Sequence, residues 1–150
     1  MECCPTEFTS SSPEETEALG ERLAQQLPPH AILALSGVLG SGKTCLVKGI
    51  ARGLGISENI TSPTYTIINE YPANMDGRSF TLHHIDAYHL GGDEDFENTG
   101  AGECMDSWGI TVIEWSERIP RSIPPCAISI HINITDAGSR IFCIKGMECR

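Results

Sequence analysis

Gly37-Val38-Leu39-Gly40-Ser41-Gly42-Lys43-Thr44 fits the pattern G-x-x-x-x-G-K-[ST]. Glycines in such a loop let backbone N–H groups close around a phosphate chain where a side chain would collide with it, and the helix that follows adds a favourable dipole. Lys43 then brings a positive charge to the β- and γ-phosphates, and the Thr44 hydroxyl reaches a magnesium ion. Gly40, Ser41, Gly42 and Cys45 complete the phosphate-side candidates. A phosphate loop also needs a carboxylate for the hydrated metal. Asp86 closes the apolar-biased run Phe80-Thr81-Leu82-His83-His84-Ile85, and Glu114 closes Ile110-Thr111-Val112-Ile113. Strand C-termini are where ligands gather in open α/β sheets. Asp86 is the candidate metal-holding acid. Glu114 would order a metal-bound water or polarise the attacking one, its alternative use being a surface pair with Arg118. Lys43, Asp86 and Glu114 are thus the candidate catalytic set, and Thr44, Asp86 and Glu114 the candidate metal set, with ATP and Mg2+ as cofactors.

Other residues border that chemistry. Thr61-Ser62-Pro63-Thr64 is a hydroxyl-rich turn in the position of a segment that senses a γ-phosphate, with Thr64 as the candidate sensor. Trp115, next to Glu114, either shapes the nucleotide pocket or packs into the core. His83, His84 and His89 flank Asp86, but magnesium is a hard cation that takes oxygen ligands, so strand packing or partner contacts suit these imidazoles better. A GTPase would carry N-K-x-D and a glycine after the metal acid; Asp86-Ala87-Tyr88-His89 has no such glycine, which leaves ATP. A small-molecule kinase would bring arginines to its acceptor, and only Arg118, Arg121 and Arg140 fall near expected strand ends.

The elements that must hold these residues read as α/β. Ser12 and Glu15 form a capping box around Pro13, and Leu19, Leu23 and Leu27 recur every four residues, so a helix starts there and ends before Pro28-Pro29. Residues 31–36 are a nearly continuous apolar run, expected as a central strand covered on both faces, and residues 43–54 are helical. Further strands are expected at 65–71, 80–86 and 110–115, with a short helix at 93–99. Residues 126–134 alternate, with Ile128, Ile130, Ile132 and Ile134 on one side, and turn at 135–138 into 139–145 as an antiparallel hairpin. The sum is a P-loop NTPase-like mixed sheet with helices on both faces. Residues 91–107, rich in glycine and acids, read as a mobile surface segment.

With 150 residues, 40% hydrophobic and 20% charged, the chain reads as a single P-loop domain over 1–150, residues 1–11 forming a flexible tail. Twenty acidic against ten basic residues leave a net charge of −10, which repels nucleic-acid backbones and argues against binding them unaided. No apolar run approaches the roughly 20 residues of a bilayer span, and a cytoplasmic protein is expected. Seven cysteines without C-x-x-C pairs are read as reduced thiols.

Four motifs in order resemble one family. Gly37 to Thr44 is similar to its G-D-L-G-A-G-K-T, Thr61-Ser62-Pro63-Thr64-Tyr65-Thr66 to its T-S-P-T-[FY]-T, His84-Ile85-Asp86-Ala87-Tyr88-His89-Leu90 to its H-x-D-x-Y-R-L, and Ile113-Glu114-Trp115-Ser116-Glu117 to its [IV]-E-W-P-E. This is the TsaE (YjeE) family of bacterial tRNA threonylcarbamoyladenosine biosynthesis. The resemblance implies an ATPase that is slow alone and stimulated by the threonylcarbamoyl transferase TsaD and its paralogue TsaB, meeting tRNA only through that complex. It carries over Lys43 and Thr44 for phosphate and magnesium, Asp86 and Glu114 as metal-site acids, and Pro13, Thr16 and Gly138 before Arg140 as borders of the nucleotide. His89 stands where the family usually has Arg, Val38 where it has Asp, Ser41 where it has Ala and Ser116 where it has Pro. The rival readings are a nucleotide-gated binding module without turnover and a small-molecule kinase.

Overall fold

The computed structural model describes residues 6–63 and 67–147, and the proposed sensor Thr64 lies outside them, with Tyr65 and Thr66. The chain runs β1 (Thr6–Ser10), α1 (Pro13–Ala24), β2 (Ile32–Gly37), α2 (Lys43–Gly53), β3 (Ile68–Met75), β4 (Arg78–Asp86), α3 (Asp93–Thr99), β5 (Gly109–Glu114), β6 (Ile128–Ile134) and β7 (Arg140–Lys145). The seven strands form one sheet in the order β1-β7-β6-β2-β5-β4-β3. Its centre, β6-β2-β5-β4, is parallel, and the flanking pairs β6/β7, β7/β1 and β3/β4 are antiparallel. Parallel strands end on the same edge, so Gly37, Asp86 and Glu114 meet there although they are far apart in sequence. Asp86 and Glu114 are directly paired in the β4/β5 register.

Both sheet faces are covered. Leu33 and Leu35 of β2, with Ile128 and Ile130 of β6, join Leu19, Leu23, Leu46 and Ile50 of the helices in one core cluster. Ile32, Ile85 and Ile113 join Leu90, Phe96 and Ile119 in the other. The near-continuous apolar character of β2 follows from this double burial. Ile134, the last of the alternating isoleucines, is 41% exposed at the turn.

α1 opens as its sequence dictates. Ser12 caps it, its hydroxyl accepting from the Glu15 amide at 3.1 Å, while the Glu15 carboxylate accepts from the Ser11 amide at 3.0 Å, one residue before the cap. α1 and α2 then approach each other through glycines. A Cβ added at Gly49 would stand 2.1 Å from the Glu17 carbonyl oxygen, and one at Gly20 would stand 2.6 Å from that of Leu46. No rotamer relieves such a contact, because the obstacle is backbone. Gly49→Ala is therefore expected to cost about 3 kcal/mol by forcing the helices apart. A urea midpoint equal to that of the wild type would show that the pair has room to separate.

Three expectations are corrected. Thr6–Ser10 is not tail but strand, pairing residue for residue with β7 from Thr6↔Ile144 to Ser10↔Arg140. Residues 91–107 are not a loose surface segment: α3 and a 3-10 turn over Ala101–Asp106 bury Phe96 to 2% exposure in the second core cluster. The strand expected to stop at Tyr71 continues through Pro72 to Met75. A proline is tolerated there because β3 is the sheet's edge, and Asp76 and Gly77, both at positive φ (52° and 80°), turn the chain tightly into β4.

Candidate functional site

At the end of β2 the chain enters the glycine loop and leaves it as α2. Gly40 and Gly42 take φ values of 79° and 106°, a region that favours glycine. A Cβ at Gly40 would have nothing within 4 Å, and one at Gly42 only the Thr16 Cγ2 at 4.0 Å, so both glycines border open space rather than core. Two side chains brace the loop from outside. Glu117 accepts the Gly37 amide at 3.2 Å, and Arg140 donates to the Gly40 carbonyl at 3.0 Å while its other nitrogen holds the Gly138 carbonyl. Ser116, in the usual proline position of the resembled motif, is buried and donates to the Leu35 carbonyl at 3.0 Å.

Lys43 begins α2 and turns back into the loop. Its ammonium donates to the carbonyls of Gly37 at 2.5 Å and Val38 at 3.0 Å, and to the Ser41 hydroxyl at 3.4 Å. It also lies 4.0 Å from the centre of the Trp115 ring. Burial lowers its pKa from the usual lysine value, an effect opposed by the carboxylates of Glu117, Glu114 and Asp86. Trp115 faces the site from a positive φ of 60°, an uncommon conformation for a bulky residue. It neighbours Tyr88, whose ring is 4.9 Å away.

Thr44, one residue on, faces the sheet edge. Its hydroxyl donates to both oxygens of Glu114, at 3.0 and 3.1 Å. Glu114 is 3% exposed and also contacts Nε2 of the wholly buried His84 at 2.5 Å. The expected surface alternative for Glu114 therefore fails: Arg118 lies instead over the Tyr88 and Trp115 rings at 5.2 and 5.7 Å. Asp86, 9% exposed, accepts from the Ser62 hydroxyl at 2.6 Å and the Tyr88 amide at 2.9 Å. Ser62 thus ties the described part of the hydroxyl-rich turn to this carboxylate.

Lys43, Thr44, Asp86 and Glu114 line one cleft of about 450 Å³, together with Gly40, Gly42, Cys45, Ser62 and His89. Pro13, Thr16, Gly40, Gly42, Cys45 and Arg140 line a second, of about 240 Å³, across the same loop. Cys45 links the two walls by donating from sulfur to the Pro13 carbonyl at 3.3 Å. Burial first, and the nearby Glu17 second, raise its pKa, so it stays a neutral thiol. Among the described residues, two candidates line neither cleft: Ser41 is fully buried behind Lys43, and Gly138 meets the site only by its carbonyl, which accepts from Arg140.

The hydroxyl of Thr44 and two adjacent buried carboxylates make an oxygen-only donor set, the chemistry that suits magnesium. Such a pair of buried acids is stabilised by a cation between them. Among the described residues, no group of three or more His, Cys, Asp or Glu is arranged to hold a metal. A magnesium ion here would accordingly share its coordination between these protein oxygens and phosphate oxygens, as it does in nucleotide sites. The residues present fit the group.

Sequence reasoning missed the roles of His84, Glu117 and Ser62 in bracing the site. The histidine signal was visible in the H-H-x-D run, but its contact depends on the β4/β5 register.

The chain is similar to known proteins over most of its length. Residues 10–142 match the family described as "Threonylcarbamoyl adenosine biosynthesis protein TsaE". The tRNA threonylcarbamoyladenosine biosynthesis protein TsaE of Treponema pallidum is 40% identical over 131 residues, covering 87% of this chain and 93% of that protein. The Synechocystis protein of the same name is 44% identical over 119 residues, 77% of this chain and 73% of that one. The crystal structure of YdiB from Bacillus subtilis superposes with a TM-score of 0.77 at 30% identity, covering 94% of this chain and 84% of that one. Among the described residues no helix is long and apolar enough to cross a membrane.

Proposed function

The chain belongs to the TsaE family, and so to tRNA threonylcarbamoyladenosine biosynthesis, and on that premise we propose that it is the ATP-binding and hydrolysing component of this machinery. The observation that carries the reading is the meeting of Lys43 and Thr44 with Asp86 and Glu114 in one cleft at the C-terminal edge of the parallel strands. Lys43 and the loop backbone would hold the β- and γ-phosphates, and Thr44, Asp86 and Glu114 the magnesium ion. When bound, that ion would neutralise charge developing on the phosphates. The second cleft, between Pro13, Thr16, Cys45 and Arg140, would take the rest of the nucleotide. The protein acts in the cytoplasm with homologues of TsaD and TsaB, and its net charge of −10 suits contact with tRNA through those partners.

The deciding experiment mixes the purified chain with the TsaD and TsaB homologues of its organism and measures phosphate release and tRNA modification. ATP-dependent modification with phosphate released to water supports the proposal. Modification that needs ATP but consumes none would make the chain a nucleotide-gated module, and phosphate appearing on an added metabolite would make it a kinase.

The bond from Ser62 to Asp86 also leads to an expected difference between nucleotide states. A γ-phosphate and its magnesium at Asp86 would draw on the same hydroxyl-rich turn, and a ligand shifts an element only by its differential affinity for two conformations. Thr64 remains the candidate sensor. Hydrogen exchange should show residues 61–66 more protected with a non-hydrolysable ATP analogue than with ADP. Equal protection would make the turn a fixed part of the scaffold.

A further inference from the structure

The imidazole of His84 is fully buried on β4, and its surroundings fix what it can do. Its Nε2 lies 2.5 Å from Oε2 of Glu114, and its Nδ1 is buried without a hydrogen-bond partner. A neutral imidazole carries one N–H and one lone pair. A buried N–H without an acceptor is costlier than an acceptor without a donor, so the proton belongs on Nε2, aimed at the carboxylate. Glu114 then receives two donors, Nε2–H of His84 and the Thr44 hydroxyl, the latter at 3.0 and 3.1 Å. A threonine whose proton is committed to a carboxylate keeps its oxygen lone pairs pointing away from that carboxylate, toward the cleft where Gly40, Gly42 and Asp86 also face.

We infer that His84 is a positioning residue of the phosphate-loop site: by holding Glu114 from behind, it sets the direction of the Thr44 hydroxyl and so the affinity of the cleft for magnesium. The inference rests on the reading of this cleft as a magnesium–nucleotide site. It gives the chain an ordered relay from β4 through β5 to the first turn of α2. Outer partners of this kind typically change metal affinity by about 10- to 100-fold.

The test measures the magnesium concentration that half-saturates the tightening of ATP-analogue binding, by calorimetry, beside the affinity for the same analogue in excess chelator. His84→Leu keeps the volume and removes the donor. It is expected to raise the half-saturating magnesium concentration by about 10-fold or more, with metal-free nucleotide affinity unchanged. His84→Gln, whose amide nitrogen reaches the same carboxylate, is expected to recover most of that loss. A loss of packing alone would lower both affinities together and would not be rescued by glutamine; that pattern, or a magnesium dependence of His84→Leu equal to the wild type, overturns the inference. Should His84→Leu fail to fold, nitrogen-15 NMR of the wild-type histidines decides: a proton on Nε2 of His84 supports the relay, and a proton on Nδ1 overturns it. A wild type that binds the nucleotide with no response to magnesium would overturn the metal reading of the cleft and this inference with it, a result distinct from a magnesium-responsive wild type matched by His84→Leu.

Discussion

Lys43→Ala is expected to lower affinity for Mg-ATP by about 100-fold, roughly the 3 kcal/mol of a strong hydrogen bond to a charged group. The reasoning is electrostatic. The Lys43 ammonium stands among the carboxylates of Glu117, Glu114 and Asp86, all of which raise the local cost of bringing in a phosphate chain. Without the lysine, only backbone dipoles and whatever metal is bound would oppose that repulsion. The variant should still fold, because the groups Lys43 contacts are loop carbonyls and one serine hydroxyl, and α2 keeps its glycine seam against α1. Lys43→Arg should not restore binding. Three acceptors between 2.5 and 3.4 Å surround a compact ammonium beneath the Trp115 ring, and a planar guanidinium does not fit that space. Calorimetry with Mg-ATP checks both variants. A folded Lys43→Ala protein with wild-type affinity would move the phosphate site off this loop.

The parts of the site that could be read in advance are those whose chemistry is local. The loop is legible because its glycines, lysine and threonine must be contiguous to work, and the strand before it and helix after it carry their own hydrophobic periods. Asp86 and Glu114 were legible as the polar ends of apolar runs, since a carboxylate rarely closes a buried strand without use. What brings them together is register, Asp86↔Glu114 across β4 and β5, and no local pattern encodes that pairing. The same limit hid His84 behind Glu114 and Glu117 behind Gly37. β1 escaped notice for a different reason: Thr6–Ser10 carries one large apolar residue, Phe8, and becomes a strand only because β7 offers an edge to pair with. The turn at Asp76-Gly77, by contrast, is a local hairpin signal, and it joins the antiparallel pair β3/β4 beyond the expected end of the strand at residue 71.

Asp86→Asn and Glu114→Gln are each expected to reduce magnesium-dependent ATP turnover by about 100-fold or more, the several kcal/mol that a metal contributes to a phosphoryl transition state, while leaving the fold intact. Asp86 accepts from Ser62 on one oxygen and from the Tyr88 amide on the other; the asparagine oxygen can keep the Tyr88 amide while its NH2 donates to the Ser62 hydroxyl, which can also accept, but the charge that faces the proposed metal position is lost. Glu114→Gln acts differently. Its amide has one acceptor oxygen and one NH2, and both present partners, Thr44 and His84, donate to Glu114. If the oxygen stays with His84, the NH2 meets the Thr44 hydroxyl, which must then turn its lone pairs toward Glu114's position and away from the cleft. The glutamine variant should therefore lose magnesium dependence as well as rate, whereas a surface pair with Arg118 would have been worth at most about 1 kcal/mol of stability and no activity. With Glu114 3% exposed and Arg118 stacked on Tyr88 and Trp115, that weaker role has no geometry to support it. Phosphate release with the TsaD and TsaB homologues present, followed across a magnesium titration, separates the cases. Equal turnover in the wild type and Glu114→Gln would remove Glu114 from the chemistry, both as a metal-site acid and as the group that directs the Thr44 hydroxyl, and leave Asp86 as the acid the chemistry requires.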